Sequence, residues 1–543
     1  MLLEDAVTVL SISVLYYQYF DHTNVYYLDS RLQSITGLYY LMAFLTPISI
    51  ILAPKAEYLQ KRLKVFRPGS GSSLVLATSL GSNVLLSQYL LSKGVLQEDY
   101  RFYLVGCIMM NYLILILLAV THLIHRINAV ASLLIGLFMI AILLYVAAWQ
   151  YEIVAIMALL SFFVIAILAY ITFMPKSFTI AEVVLISQGS SMFIFDVFIS
   201  AMRMVYENEF FLNCIKNERH ELTVVFQMLI LWVVGIGVVL SPILMGLTSR
   251  SPASIMNNNY WSAAFYIGLT VFTFGLYLPV FTMLLRSNPI MWLLDFITLN
   301  SARIALICYW IFLVLIALYI VIWRNLYGSS SKIPAILIRK YFHVLVILIY
   351  FPGIYFDYRA TYLASSVALA LFLLAEFLRI FHIRPFGPWI HDHLQIFIDT
   401  RDSGIVILTH IYLLVGCALP LWLCQSTSVL NVTDNVALMY AGVMSLGIGD
   451  TFASLVGITI GKRRWPGNNR TLEGTAGSVL SMLLLYYLLW HIGGEKFIKF
   501  GGNWQTIIPA FIMTSLTEAL TTQIDNLILP LVLYIHCTSK CLP

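Results

Sequence analysis

Residues 436–460 read VALMYAGVMSLGIGDTFASLVGITI, an apolar run that contains a single acid, Asp450. The run is long enough for a membrane-spanning helix, which needs about 20 apolar residues. A carboxylate at membrane depth costs roughly 2.5 to 3.5 kcal/mol by insertion scales, so such a residue usually faces a cavity, a partner or an ion. The run therefore predicts a membrane helix with a functional acid at position 450.

Comparable apolar runs recur along the whole chain. Of its 543 residues, 60% are hydrophobic and only 10% are charged, whereas about a quarter are charged in soluble proteins. We therefore expect an all-α, polytopic integral membrane protein with about 15–17 transmembrane helices. The formal net charge of +5 is small and dispersed, so the lipid bilayer is an expected partner and nucleic acid is not.

Polar residues are distributed unevenly among these runs. Up to about residue 330 the predicted spans are nearly plain hydrocarbon, whereas most later spans carry charges within them or at their ends. This contrast predicts two regions: residues 1–330, a set of transmembrane helices of unclear role, and residues 331–543, a catalytic transmembrane region.

The basic loops indicate how the chain is oriented. Two loops lie on the same side of the membrane when an even number of spans separates them. This places three basic loops on one side: Lys55–Arg67, Lys332–Lys340 and Lys462–Arg470. Basic loops mark the cytosolic face. The triplet Asn431-Val432-Thr433, a glycosylation acceptor pattern, falls on the opposite side. We therefore expect the loop after the Asp450 helix to face the cytosol.

That loop is basic and rich in glycine. Its residues are Gly461, Lys462, Arg463, Arg464, Trp465, Pro466, Gly467, Asn468, Asn469, Arg470, Thr471, Leu472, Glu473, Gly474 and Thr475. Cationic side chains and exposed glycine amides bind phosphate oxygens. Thr471 and Glu473 precede an apolar run, so the next helix is predicted to begin there with its positive end at the same place. The pattern predicts a polyanion site; the alternative is that the cations only follow the positive-inside rule.

A second basic group opens the span near residue 334. The helical period puts Arg339 with His343 at i,i+4 and Lys340 with His343 at i,i+3. Arg339 and Lys340 can be explained as interfacial side chains that snorkel. His343 lies further into the span, which makes it a candidate catalytic residue.

Further acids lie at the ends of the later spans. Asp399 and Asp402 are in one predicted cytosolic loop, where they either help to hold Mg²⁺ or form local ion pairs with solvent around them. Glu518 and Asp525 are seven residues apart near the end of a span predicted over 504–525, which would put both on one helix face.

Small residues accompany the acid at position 450. Gly449, Ala453, Gly457 and Gly461 recur at every fourth residue. Such a stripe lets a ligand or a second helix approach the backbone closely. Helix packing explains the glycines as well as a ligand does, but it does not explain Asp450.

Short motifs in the later part of the chain resemble those of the dolichol kinase family. They are Gly449-Asp450-Thr451 with Ala453-Ser454 and Gly457, Arg464-Trp465-Pro466-Gly467, Thr471-Leu472-Glu473-Gly474-Thr475, Thr521-Thr522-Gln523-Ile524-Asp525-Asn526-Leu527, Arg339-Lys340-Tyr341-Phe342-His343 and Arg401-Asp402-Ser403-Gly404. The resemblance covers about residues 335–535. It departs at Arg470, where a lysine is expected as often as not.

The resemblance implies a reaction and a place for it. A family member transfers the γ-phosphate of CTP to the terminal hydroxyl of dolichol, with Mg²⁺ or another divalent cation, in the endoplasmic reticulum membrane. The active site faces the cytosol, and the dolichyl phosphate serves N-glycosylation and related glycan pathways. The oligomeric state is left open, a homo-oligomer included.

The resemblance also implies roles for individual residues. The CTP site would be residues 461–475, helped by Arg339 and Lys340, and Lys462, Arg464 and Arg470 would hold the triphosphate. The candidate catalytic residues are Asp450, Asp402, Asp525 and His343, and the candidate metal ligands are Asp450, Asp402 and Asp399.

Two other functions remain open at this point. A cytidylyltransferase-like enzyme also uses CTP beside membrane acids, but it transfers CMP to a lipid phosphate and releases pyrophosphate instead of CDP. A lipid transporter or scramblase uses midplane acids and broken helices for coupling, and it would show no strict dependence on CTP.

Overall fold

The computed structural model describes most of the chain. The described residues are 4, 6–9, 30–68, 70–92, 95–123, 129–146, 153–205, 219–246, 259–327, 335–394, 404–426, 436–466, 468–493 and 504–538.

Regular structure in these ranges is helical, apart from one isolated β-bridge. Ten of the helices are long and apolar enough to cross a membrane, and six shorter helices are also apolar. Long apolar helices satisfy all their backbone hydrogen bonds internally, as a bilayer requires. The predicted all-α, multi-pass membrane fold is confirmed.

The helices form two compact units. The composite unit contains Met1–Glu218 and Leu423–Pro543, and the middle unit contains Arg219–Trp422.

The composite unit combines the two ends of the chain. Its helices before the middle unit are α1 (Ser30–Arg62), α2 (Leu74–Leu91), α3 (Val95–Leu123), α4 (Ala129–Val146), α5 (Ile153–Phe173) and α6 (Ile180–Val205).

The middle unit follows α6 in the chain. Its helices are α7 (Glu221–Gly246), α8 (Asn259–Phe272), a π-helical turn (Thr273–Tyr277), α9 (Leu278–Leu285), α10 (Pro289–Thr298), α11 (Ser301–Tyr327), α12 (Ala335–Ile380), α13 (Phe386–Leu394) and α14 (Thr409–Ser426), which ends just beyond the unit boundary.

The chain then returns to the composite unit. The remaining helices are α15 (Val436–Met439), a π-helical turn (Val443–Asp450), α16 (Thr451–Thr459), α17 (Leu472–Gly493), α18 (Trp504–Leu520) and α19 (Asp525–Thr538).

Helix α12 is broken at Asp357. The backbone of Asp357 leaves the helical region, with φ −154° and ψ 94°. Its carboxylate accepts hydrogen bonds from the N–H groups of Arg359 at 2.9 Å and Ala360 at 3.0 Å, and Arg303 Nε lies 2.7 Å from it. Asp357 therefore caps the second half of α12, as an acid does at a helix N-terminus.

Glycines allow α16 and α17 to pack closely. A Cβ added to Gly474 would lie 2.6 Å from the carbonyl oxygen of Ala453, and one added to Gly457 would lie 3.1 Å from Thr471 Oγ1. A backbone oxygen at that distance leaves no room for a side chain. The small-residue stripe thus serves helix packing, which holds the Asp450 helix against the helix that follows the basic loop.

The interior of the composite unit is more polar than the sequence suggests. Buried Gln188 on α6 donates to Asn111 Oδ1 on α3 at 2.7 Å, and Asn111 Nδ2 donates to the carbonyl of Thr78 on α2 at 2.9 Å. A buried ion pair joins Arg67 and Glu182. The early spans are therefore not plain hydrocarbon: their polar side chains face one another inside the helix bundle.

Candidate active site

The basic loop between α16 and α17 folds as a short hairpin. Arg464 and Thr471 form the isolated antiparallel bridge, and the N–H of Leu472 donates to the carbonyl of Arg463 at 2.8 Å. At the tip, the N–H of Asn468 donates to the carbonyl of Trp465 at 3.2 Å. Proline at position 466, directly after Trp465, favours a turn at this place.

Side chains fix the hairpin to the first turn of α17. This helix begins at Leu472, as predicted, and Thr471 caps it by accepting from the N–H of Gly474 at 3.1 Å. The Glu473 carboxylate accepts from the N–H of Arg463 at 3.1 and 3.2 Å. The capped start orients the cations of the loop relative to the helix axis.

The hairpin also contacts the junction between α18 and α19. Arg470 Nε lies 3.1 Å from Glu518 Oε1, and Arg470 Nη2 lies 3.4 Å from Asp525 Oδ2. Asn468 Nδ2 donates to the carbonyl of Ala519. The structure thus brings two predicted site residues together, Arg470 and Asp525, and adds Glu518 between them.

The prediction that Glu518 and Asp525 share one helix face is wrong. Helix α18 ends at Leu520, and α19 begins only at Asp525. The four residues between them, Thr521 to Ile524, use their polar groups for contacts with other parts of the unit, and such side chains compete with helical hydrogen bonds. The two acids meet because both contact Arg470.

The other cations of the loop are open to a ligand. Lys462, Arg463 and Arg464 are exposed, and none has a salt bridge within the described part of the chain. Arg470 is 23% exposed, and its Nη1 is buried without a hydrogen-bond partner among the described residues. The hairpin together with Glu518 and Asp525 forms one corner of the unit. This corner has more cationic hydrogen-bond donors than carboxylate acceptors, which suits the binding of a polyanion.

Asp450 lies at the end of the π-helical turn and is 7% exposed. That turn packs against α17, α18 and α19, and Gly449 lies close to Ser478 Oγ of α17. Ser515 of α18 in turn donates to Ser478 Oγ at 2.9 Å. The turn that ends with Asp450 therefore packs against the helix that carries Glu518.

A polar atom without a partner lies beside Asp450. Thr451 Oγ1 is buried and has no hydrogen-bond partner within the described ranges. π-Helical turns inside α-helices are frequent at functional sites. The π-helical turn, the buried acid and the unpartnered hydroxyl together mark this position as a candidate ligand contact.

The remaining predicted residues belong to the middle unit or lie outside the described ranges. His343 is buried on α12. Arg339 and Lys340 are in the first turns of the same helix, and their side chains are outside the description. Asp399, Asp402 and, in the hairpin, Gly467 lie outside the described residues, as does the triplet at 431–433.

The segment just after Asp402 is firmly held. The buried pair Glu376 and Arg379 on α12 binds its backbone: Arg379 Nη2 donates to the carbonyl of Ile405, and the N–H of Ile407 donates to Glu376 Oε1, both at 2.5 Å. These contacts fix the chain within five residues of the predicted acid.

The sequence indicated a catalytic or metal role for Glu518 together with Asp525, but Glu518 was not among the candidate site residues chosen. It was visible as an acid inside a predicted span, but nothing in its neighbourhood indicated Arg470, 48 residues earlier, as its partner. Within the described ranges no cluster of three or more His, Cys, Asp or Glu side chains that could hold a metal ion is present.

Comparison with known proteins gives a consistent result. A family model described as dolichol kinase matches residues 101–465. Dolichol kinase of Homo sapiens is 35% identical over 395 residues, which cover 71% of this chain and 69% of that protein. Dolichol kinase of Mus musculus is 39% identical over 309 residues, covering 55% of this chain and 57% of that protein.

A plant relative extends the similarity. Dolichol kinase EVAN of Arabidopsis thaliana is 36% identical over 251 residues, covering 46% of this chain and 43% of that protein. No solved structure matches the chain.

Proposed function

The chain belongs to the dolichol kinase family, and from this premise we propose that its composite unit transfers the γ-phosphate of CTP to the terminal hydroxyl of dolichol. The observation that carries the proposal is that Arg470 bridges Glu518 and Asp525 on the same hairpin that carries three exposed cations. Phosphoryl transfer needs positioning and charge neutralisation more than covalent chemistry from the protein.

The hairpin provides the donor side of this site. A triphosphate carries several negative charges close together, and Lys462, Arg464 and Arg470 present cations on one short loop. Arg470 can turn its unpartnered Nη1 to phosphate while Glu518 still holds Nε. Arginine binds phosphate through two parallel N–H groups, which also fixes its orientation.

Asp450 serves the acceptor side. It lies one short helix away from the hairpin, and the nine residues of α16 rise by about 14 Å. That distance is less than half of the roughly 30 Å hydrocarbon core, so acid and loop belong to the same leaflet. A long isoprenoid alcohol meets CTP there, and Asp450 takes the hydroxyl proton or holds a metal ion.

The residues present fit a divalent cation. Mg²⁺ usually keeps several waters and is held by one or two carboxylates together with substrate phosphates, so it needs no cage of three protein ligands. Asp450 or Asp525 would hold the ion together with the substrate phosphates, and the ion would neutralise charge on the transferring phosphoryl group. Asp399 and Asp402 stay predicted ligands.

The orientation and compartment follow from the same proposal. The basic hairpin faces the cytosol, where CTP is available, and the membrane is that of the endoplasmic reticulum. The dolichyl phosphate formed there serves lumenal glycan pathways such as N-glycosylation.

The experiment is a transfer assay with purified protein. CTP and ATP, each labelled in the γ-phosphate, are supplied in parallel with dolichol. We expect label in dolichyl phosphate from CTP, with release of CDP. Release of pyrophosphate would indicate a cytidylyltransferase, and the absence of any CTP-dependent product would favour a transporter.

A single substitution tests the acid. We expect Asp450→Asn to lower the turnover by about 100-fold or more, because the side chain can neither take a proton nor carry a charge. Near-normal turnover at a normal protein level would remove Asp450 from the mechanism.

A further inference from the structure

The α18–α19 junction is held from the opposite side by the N-terminal helices. The contacts come from two loops, residues 63–73 between α1 and α2 and residues 174–179 between α5 and α6. The loops bind each other: the N–H of Arg67 donates to the carbonyl of Phe178 at 2.8 Å, and the N–H of Lys176 donates to the carbonyl of Val65 at 2.7 Å.

A buried ion pair lies where these loops meet the junction. Arg67 Nη2 and Glu182 Oε1 are 2.6 Å apart, and the two side chains are 2% and 0% exposed. The same Glu182 oxygen accepts from the N–H of Ile524 at 3.2 Å, and Glu182 Oε2 accepts from the N–H of Thr179 at 3.1 Å. One carboxylate thus binds the arginine, the α5–α6 loop and the residue before Asp525.

Gln523 makes a second set of contacts between the same elements. Its Nε2 donates to the carbonyl of Gly71 at 2.8 Å and to Ser73 Oγ at 2.9 Å, and its Oε1 accepts from Thr179 Oγ1 at 2.5 Å. The side chain is fully buried. The carboxylate of Glu4 accepts from the hydroxyl of Thr521 at 3.0 Å.

These contacts fix the backbone conformation of residues 521–524, which are not part of a helix. Residues 521–524 lie between two helices, and the next residue, Asp525, binds Arg470. A shift of residues 521–524 therefore moves the Asp525 carboxylate relative to Arg470 at the proposed CTP site.

We propose that Arg67 and Glu182 are positioning residues for phosphoryl transfer: they fix residues 521–524 so that Asp525 meets Arg470. The inference rests on the proposed function, and it gives the N-terminal helices a role in the reaction. Glu182 acts by accepting a hydrogen bond from the backbone of Ile524, and Arg67 compensates its buried charge.

Two double variants separate the hydrogen bond from the charge. Arg67→Met with Glu182→Leu replaces the pair by apolar side chains and removes the acceptor for Ile524. Arg67→Met with Glu182→Gln also removes both charges but keeps a side-chain oxygen that can accept from Ile524. Replacing a buried ion pair by apolar groups is often neutral for folding, so both proteins are expected to accumulate.

The expected result is a difference in kcat between the two double variants. The Leu variant should lose about tenfold or more in kcat, since misplacing a group by about 1 Å can cost up to 100-fold. Its thermal midpoint should stay close to that of the Gln variant, and the KM for dolichol should not change. The Gln variant should retain at least about a third of the wild-type kcat, because one acceptor remains.

Gln523→Leu provides an independent variant with a matched control. The control is Gln188→Leu, which removes another buried glutamine. The amide of Gln188 donates a hydrogen bond to Asn111, and this bond joins α6 to α3, away from residues 521–524. We expect Gln523→Leu to lower kcat by about tenfold at an unchanged KM for dolichol, and Gln188→Leu to leave the kcat of the folded protein within about threefold of wild type.

Two outcomes would overturn the positioning role. One is a wild-type kcat in both the Leu double variant and Gln523→Leu. The other is an equal loss of kcat in Gln523→Leu and Gln188→Leu, which would show a general loss of structure. Either outcome is distinct from failure of the proposed function, in which the wild-type protein itself would form no dolichyl phosphate from CTP.

Discussion

Two arginines of the composite unit each bind carboxylates, but in opposite environments. Arg470, on the basic hairpin, is 23% exposed and shared by Glu518 and Asp525 at 3.1 and 3.4 Å. Arg67, between α1 and α2, is 2% exposed and bound by Glu182 alone at 2.6 Å. Both keep N–H groups without a partner among the described residues.

The difference indicates what each arginine can do. At the first corner a phosphate can reach the partly exposed side chain of Arg470, and two carboxylates keep the guanidinium in place before it arrives. At the second corner, the buried pair of Arg67 and Glu182, no ligand can reach the arginine. Its charge therefore serves only to compensate the negative charge of Glu182. A charge that loses its partner costs about 3 to 5 kcal/mol when it is fully buried, as Glu182 is, and less when its side chain keeps some exposure, as those of Glu518 and Asp525 do at 8% and 19%. The first corner is therefore suited to binding and the second to positioning.

Loss of the open arginine should have the largest effect on activity. We expect Arg470→Met to lower kcat/KM for CTP by about 100-fold or more, because a charge-assisted contact to the transferring phosphate is lost. Arg470→Lys keeps the charge and should lose less than about tenfold. Initial rates of dolichyl phosphate formation measure both, and equal rates for Met and Lys would contradict a phosphate contact.

Loss of the sealed arginine should act on stability instead. We expect Arg67→Met to destabilise the folded protein by about 3 to 5 kcal/mol, because Glu182 is left buried without compensation. The thermal midpoint in detergent should fall further than in Arg470→Met. A lower thermal midpoint for Arg470→Met than for Arg67→Met would contradict this distinction between the two arginines.

A glycine in the first turn of α17 tests the packing that holds the hairpin against α16. Gly474→Ala places a Cβ 2.6 Å from the carbonyl of Ala453, so α17 must move away from α16. We expect a loss of about 1 to 3 kcal/mol in stability from overpacking and a lower rate of CTP-dependent transfer. Gly189→Ala on α6, where a Cβ meets nothing within 4 Å, is the control and should behave as wild type.

The smallest expected difference between the Arg470 site and the Arg67 site is in their response to salt. Raising the ionic strength from about 0.05 to about 0.5 M shortens the range of charge interactions severalfold, so the KM for CTP should rise. The thermal midpoint should change little over the same range, because the buried Arg67–Glu182 pair is shielded from ions. A KM for CTP that does not respond to salt would contradict binding by the exposed cations.

Short-range patterns in the sequence were enough to predict much of the site. Asp450 stands out because an acid in an apolar run is costly, and residues 461–475 stand out because glycines and cations are adjacent. The start of α17 at Leu472 follows from Thr471 and Glu473, which cap it. Each of these features depends on residues close in sequence, and the all-α membrane fold likewise follows from apolar run length.

Long-range pairing could not be predicted from the sequence. Arg67 and Glu182 are 115 residues apart, and nothing near either residue indicates the other. The break at residues 521–524 was missed because the contacts that replace the helix come from residues far away in the sequence: Glu4, Gly71, Ser73, Thr179 and Glu182. The polar residues of the early spans were overlooked because most are uncharged, such as Ser82, Asn83 and Gln88 in α2, and do not stand out in an apolar run.

The most direct test of the proposed corner is to map where CTP binds. A photoreactive CTP analogue, activated on the purified protein, should label a peptide within residues 461–475, excess CTP should abolish the label, and Arg470→Met should lower it by about tenfold or more. CTP-protected label that fell outside residues 461–475, or that was unchanged in Arg470→Met, would contradict a CTP site at the hairpin.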